Sequence, residues 1–122
     1  MSVPVELEAL RARLDEYGPV AFLVTVNEQG SAHVVSVEVH TDGDHLVVPT
    51  GRTTRRNLEH NPHLTLLWPL GHDPAYSMIV DASVASLRDD EATIRPRSAV
   101  LHRVADATGG GPMCVPVTPP VA

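Results

Sequence analysis

A chain of 122 residues, 43% hydrophobic and 20% charged, is sized for one globular domain with a substantial core. Its net charge of -6 excludes general affinity for nucleic acid, whose phosphates demand a basic surface. No apolar run approaches the roughly 18 residues of a membrane helix, and the acidic start MSVPVELEAL does not read as a signal peptide, so the expected location is cytoplasmic.

Taken in chain order, Val5 to Tyr17 places Leu7, Leu10 and Leu14 at helical spacing, and Gly18-Pro19 stops that helix. Val20 to Asn27 is almost continuously apolar and reads as a strand buried on both faces. A turn at Glu28 to Ser31 leads into a strand from Ala32 to Thr41, with Val35, Val37 and Val39 on one face and Ser36, Glu38 and His40 on the other. Asp42-Gly43 signals a tight turn, and His45 to Val48 is a third strand, which makes an antiparallel meander.

Thr53 to His60 reads as a short helix with Thr53 or Thr54 as its cap, closed by Asn61-Pro62. His63 to Trp68 is a fourth strand, Pro69 to Ala75 a loop, and Tyr76 to Leu87 a fifth strand. Arg88 to Glu91 is a polar turn, and Ala92 to Val104 is a sixth strand in which Pro96 marks an edge, a bulge or a break. From Asp106 the run DATGGGPMCVPVTPPVA reads as a flexible tail. The domain is therefore residues 1–105 and the tail 106–122. Six antiparallel strands with an N-terminal helix and a short helix between strands three and four make an all-β (β-rich α+β) barrel.

The chemistry concentrates in Thr50 to Asn57, TGRTTRRN, between a strand and a helix start. A helix start offers free backbone N–H groups, and arginine forks grip phosphate oxygens in pairs. Gly51 allows a close backbone approach. The same three arginines also read as a solvated helix face, and as an RNA patch, although only four aromatic residues are available for base stacking. The lone Cys114 excludes an internal disulfide, and the absence of lysine excludes Schiff-base chemistry, although it also reads as the mark of a GC-rich genome. The seven histidines show no metal-ligand spacing, so no metal site is expected, and His102 reads as structural. No acid–base dyad is apparent, as expected where a cofactor carries the chemistry.

The run VVPTGRTTRRNLEHNPHLTLLWP, with YSMIVDA and RPRSAVLHR further on, resembles the pyridoxamine 5'-phosphate oxidase-like, FMN-binding split-barrel family over about residues 5–104. That resemblance implies a six-stranded antiparallel split β-barrel and a homodimer holding FMN in a cleft between subunits. It implies that Arg52, Thr53, Arg56 and Asn57 hold the ribityl phosphate, with Arg55 beside them. The strand His33 to Val37 would run along the flavin ring, bringing Val35 and Ser36 to the cofactor together with Thr50. Trp68 is a candidate pocket wall and equally a plain core residue. Two departures stand out: Thr53-Thr54 replaces a basic pair common in the family, and a Gly/Pro tail replaces the arginine- and histidine-bearing segment that holds the vitamin B6 substrate. The expected activity is therefore FMN-dependent redox chemistry on a small molecule other than pyridoxamine phosphate. The alternatives are reduction with the deazaflavin coenzyme F-420 and a non-enzymatic flavin carrier or ligand-free barrel.

Overall fold

The computed structural model of the chain describes residues 2–69 and 76–103. The expected loop after Pro69, the tail 106–122, Cys114 and the far end of the last strand at Val104 lie outside them.

Strands β2 (Val20–Val26), β6 (His63–Trp68), β7 (Ser77–Leu87) and β8 (Glu91–His102) form the middle of one antiparallel sheet. β3 (Ala32–Glu38) lies beyond β2, and β5 (His45–Pro49) then β4 (His40–Asp42) lie beyond β8. β3 and β4 occupy opposite ends of the ladder but are consecutive in the chain, so the sheet must curl until its ends meet. Val39 is the joint. Its N–H bonds the Pro19 carbonyl at 2.7 Å, one register step beyond the Val20–Glu38 pair, and its side chain is buried.

The architecture is the expected split barrel, with three corrections in detail. There are eight strands among the described residues, not six. The Ala32 to Thr41 run is divided at Val39, so its first half pairs with β2 and its second with β5. β1 (Ser2–Val5) adds the eighth strand by pairing with Ala99 to His102, a stretch of β8 beyond the reach of β5. The first helix is consequently shorter than expected: a 3-10 turn at Leu7–Ala9 leads into α1 (Leu10–Tyr17), and Val5 belongs to a strand.

The third correction concerns β2, which is buried on one face only. Ala21, Leu23 and Thr25 point into the barrel, while Val20 and Phe22 face outward. Pro96 is the site of a bulge, as its residue type suggested. The β7–β8 register steps from Asp81–Ser98 to Ala82–Pro96, and Arg97 is the extra residue.

The core is the barrel interior, filled by alternate residues of each strand: Leu64, Leu66 and Trp68 from β6, Met78, Val80 and Ala82 from β7, Ala92 and Ile94 from β8. Leu10 and Leu14 bring α1 against this core. α1 ends at Tyr17, whose hydroxyl donates to the Tyr76 carbonyl at 2.9 Å. Burial, reinforced by the Glu16 carboxylate and opposed by Arg13, raises the Tyr17 pKa above its ordinary value. The folded state thus favours the protonated phenol. Its contribution is complete below the unfolded value of about 10 and is lost as pH rises through the folded pKa. Tyr17→Phe should cost about 1 kcal/mol at neutral pH through the lost hydrogen bond. Its denaturant midpoint should also fall less steeply than that of the wild type above about pH 10. Parallel slopes in that range would remove Tyr17 from the pH response.

Candidate functional site

The run TGRTTRRN straddles the end of β5 and the first turns of α2 (Arg52–His60). Gly51, not a threonine, is the N-cap, and no side chain caps the helix. Thr54 points inward because Thr54, Asn57 and Leu58 form the buried stripe of α2, at the three- and four-residue spacing of one helix face. The uncapped backbone N–H groups of the first turn remain available to an anion.

The sequence candidates divide into three groups. Asn57 and Trp68 are satisfied inside the chain. The Asn57 amide donates to Thr25 Oγ1 at 3.0 Å, both residues being buried. Trp68 is 1% exposed and donates its indole N–H to the Gly18 carbonyl at 2.9 Å. Helix periodicity with Thr54 and Leu58, and strand alternation with Leu64 and Leu66, were the signals that mark these two as inward.

Arg55 forms a second group. Its guanidinium donates to the Arg88 carbonyl and lies 4.0 Å from Glu59, so it ties α2 to the turn between β7 and β8. That turn is also held by Thr50, whose N–H donates to the Asp90 carbonyl at 2.9 Å.

The third group faces outward at the head of α2. Arg52, Thr53 and Arg56 are exposed, and among the described residues no hydrogen bond or ion pair engages their side chains. Beneath them Thr50 is 8% exposed, and its Oγ1 is buried without a hydrogen-bond partner. A buried hydroxyl left unpaired costs about 1–3 kcal/mol. Beside the uncapped helix start, it is a donor without an acceptor. A Cβ at Gly51 would meet nothing within 4 Å, so the fold itself leaves the space above this turn open.

β3 completes the arrangement. It pairs with β2 on one side and heads the ladder on the other, so among the described residues its second backbone edge has no strand partner. Val35 points toward the core and Ser36 outward. Thr25 is paired with His33, so the Asn57–Thr25 bond holds α2 against the strand that neighbours β3. Two guanidinium groups, two hydroxyls and a helix start therefore stand together at the head of α2, with β3 one strand beyond the strand that α2 bonds. This donor set fits a phosphate ester carrying a flat polar ring, the chemistry of FMN.

Other features lie elsewhere. A recess of about 830 Å³ between α1 and the β4–β5 hairpin is spanned by Arg11, which donates to the Gly43 carbonyl, and none of the sequence candidates lines it. Among the described residues no helix is long and apolar enough to cross a membrane.

Comparison with known proteins gives a consistent outcome. Residues 7–111 match the family model described as pyridoxamine 5'-phosphate oxidase. The uncharacterized protein Mb0449c of Mycobacterium bovis is 40% identical over 115 residues, spanning 81% of this chain and 80% of that protein. Among solved structures, an FMN-binding protein from Syntrophomonas wolfei superposes with a TM-score of 0.66 at 12% identity, covering 82% of this chain and 88% of its own. An F420 reductase superposes at 0.59 with 16% identity, covering 71% and 93% respectively. At these identities the two structures speak for the fold.

Proposed function

The chain belongs to the pyridoxamine 5'-phosphate oxidase family, and from that premise we propose that it is an FMN-binding oxidoreductase of a small molecule, working as a homodimer. The observation that carries the reading is the buried, unpaired Thr50 hydroxyl beneath the uncapped start of α2, with Arg52, Thr53 and Arg56 free above it. Arg52 and Arg56 supply charge-assisted donors to a phosphate, and Thr50 and Thr53 supply neutral ones. The free edge of β3 presents backbone donors and acceptors to the polar rim of a flavin ring, with Ser36 beside it. When bound, the flavin supplies hydride transfer to or from a substrate laid against its ring. The protein's part is to orient that ring and keep water from it. Asn57, Arg55 and Trp68 act at one remove, by fixing the elements on which the donors stand.

The homodimer reading is supported by the outer face of β2 and β3. Val20 is 59% exposed, Val34 54% and Phe22 37%, an apolar strip on a small protein that gains by being covered. A second subunit laid on this face would also shelter the flavin.

The test is an absorbance spectrum of the purified protein followed by titration with FMN, read by quenching of flavin fluorescence. A copurified flavin spectrum, or saturable binding, supports the reading. Absence of both, with saturable binding of coenzyme F-420, would transfer the site to the deazaflavin. Failure of both ligands would leave a barrel without redox function.

A further inference from the structure

The outer face of the sheet carries two charges that the flavin reading does not use. Across the ladder one lateral row runs Val34, Val24, Thr65, Asp81, Ser98, each residue paired with the next. The row is apolar at the β3 end and charged at the β8 end, where the bulge at Arg97 places that side chain beside Asp81. Val24, Val26, His63, Thr65, Asp81 and Arg97 line a shallow recess of about 410 Å³.

Asp81 and Arg97 share this recess and do not pair with each other. Among the described residues the ion pairs are Arg13–Glu16, Glu38–His40 and Arg55–Glu59. Thr65 Oγ1 donates to Asp81 Oδ1 at 2.7 Å, which orients the carboxylate and leaves its other oxygen free. Arg97 is exposed and makes no hydrogen bond among the described residues.

A face that is apolar at one end cannot be covered cheaply if the charges at its other end are desolvated without partners. A partner must therefore bring one positive and one negative group to this recess. In a two-fold assembly the same patch faces itself, so each copy presents Arg97 where its partner presents Asp81.

We propose that Arg97 of one copy pairs with Asp81 of the other, twice over, and that these reciprocal ion pairs fix the register of the homodimer. This rests on the dimer reading above and adds the contacts that select its geometry. The bulge then has a role, since it turns Arg97 outward onto the self-facing surface.

Charge reversal tests it. Asp81→Arg leaves two positive groups on each copy and Arg97→Asp leaves two negative ones, so like charges oppose in both variants. Each is expected to raise the dimer dissociation constant roughly tenfold or more, read by light scattering over a dilution series. An equimolar mixture of the two restores opposite charges at both contacts. It should form heterodimers in preference to either homodimer, read by native mass spectrometry with one variant tagged. Circular dichroism confirms that each variant is folded. Should either reversal prevent folding, Asp81→Asn and Arg97→Gln keep the shapes and should each weaken the dimer several-fold. A wild-type dimer whose affinity is unchanged in folded single variants would overturn the pairing and leave the dimer reading intact. So would two weakened variants that do not recover on mixing. A monomeric wild-type protein would overturn both, and FMN titration of the same samples shows separately whether the flavin reading survives.

Discussion

Replacing Arg56 by alanine is expected to weaken FMN binding by roughly 10- to 100-fold while leaving the fold unchanged. The magnitude follows from the loss of a charge-assisted hydrogen-bond donor to phosphate, about 1.5–3 kcal/mol. The insensitivity of the fold follows from position. Arg56 is exposed on α2 and engages no partner among the described residues, and surface substitutions of this kind move stability by about 0.5 kcal/mol or less. Arg56→Lys should recover only part of the affinity, because an ammonium keeps the charge without the planar fork. Arg55→Ala supplies the contrast. It releases the turn between β7 and β8 and should act on thermal stability more than on the affinity of a folded sample. Equal FMN affinity in wild-type and Arg56→Ala protein would remove the head of α2 from the binding site.

Trp68→Ala is expected to have the largest effect on folding. A fully buried tryptophan truncated to alanine costs about 3–5 kcal/mol, against a total stability of about 5–15 kcal/mol for a domain of ordinary size. The melting temperature should fall by roughly 15 °C or more. The Gly18 carbonyl, which anchors the exit of α1, would also lose its donor. Trp68→Phe keeps much of the buried surface and gives up the hydrogen bond, so its cost is about 1–3 kcal/mol. If the indole serves only the core, Trp68→Phe protein that is folded should bind FMN as the wild type does. A selective loss of binding in that variant would bring Trp68 back to the pocket wall.

Local rules carry far in this chain, and they stop where three-dimensional closure begins. β6 is bounded by Asn61-Pro62 and Pro69, and its limits agree with the alternation of its residues. The faces of Val35 to His40 follow the period of two across the Val39 joint, because a bend does not change which side a residue takes. The division of that run between β2 and β5 falls where the pairing with β2 ends, at Val39 opposite Pro19, a partner twenty residues away that no local pattern names. β1 escapes for a similar reason. Four residues containing a proline make a poor strand alone, and they become one because β8 outruns β5.

At the candidate site, residue types were informative and roles were not. Arginines at a helix start indicate an anion, yet only the fold separates Arg55, bonded to a neighbouring turn, from Arg52 and Arg56, which stand free. Asn57 lies next to Arg56 in the chain and serves the interior. The outward valines of β2 and β3 are hidden from a hydropathy reading, since a continuously apolar strand reads the same whether both of its faces are buried or only one.

The pairing of β1 with β8 also bears on how the protein is made. Ser2 to Val5 leave the ribosome ahead of the rest of the barrel, and their partners, Ala99 to His102, are added after almost all of it. At a synthesis rate of roughly 5–20 residues per second, the first strand waits on the order of 5–20 s for the last. During that interval the β2–β3 hairpin is already made, and its inward residues Ala21, Leu23 and Val37 lack the rest of the barrel that buries them. The nascent chain is therefore most vulnerable to aggregation while the barrel is half made, and a slower rate of elongation prolongs that exposure.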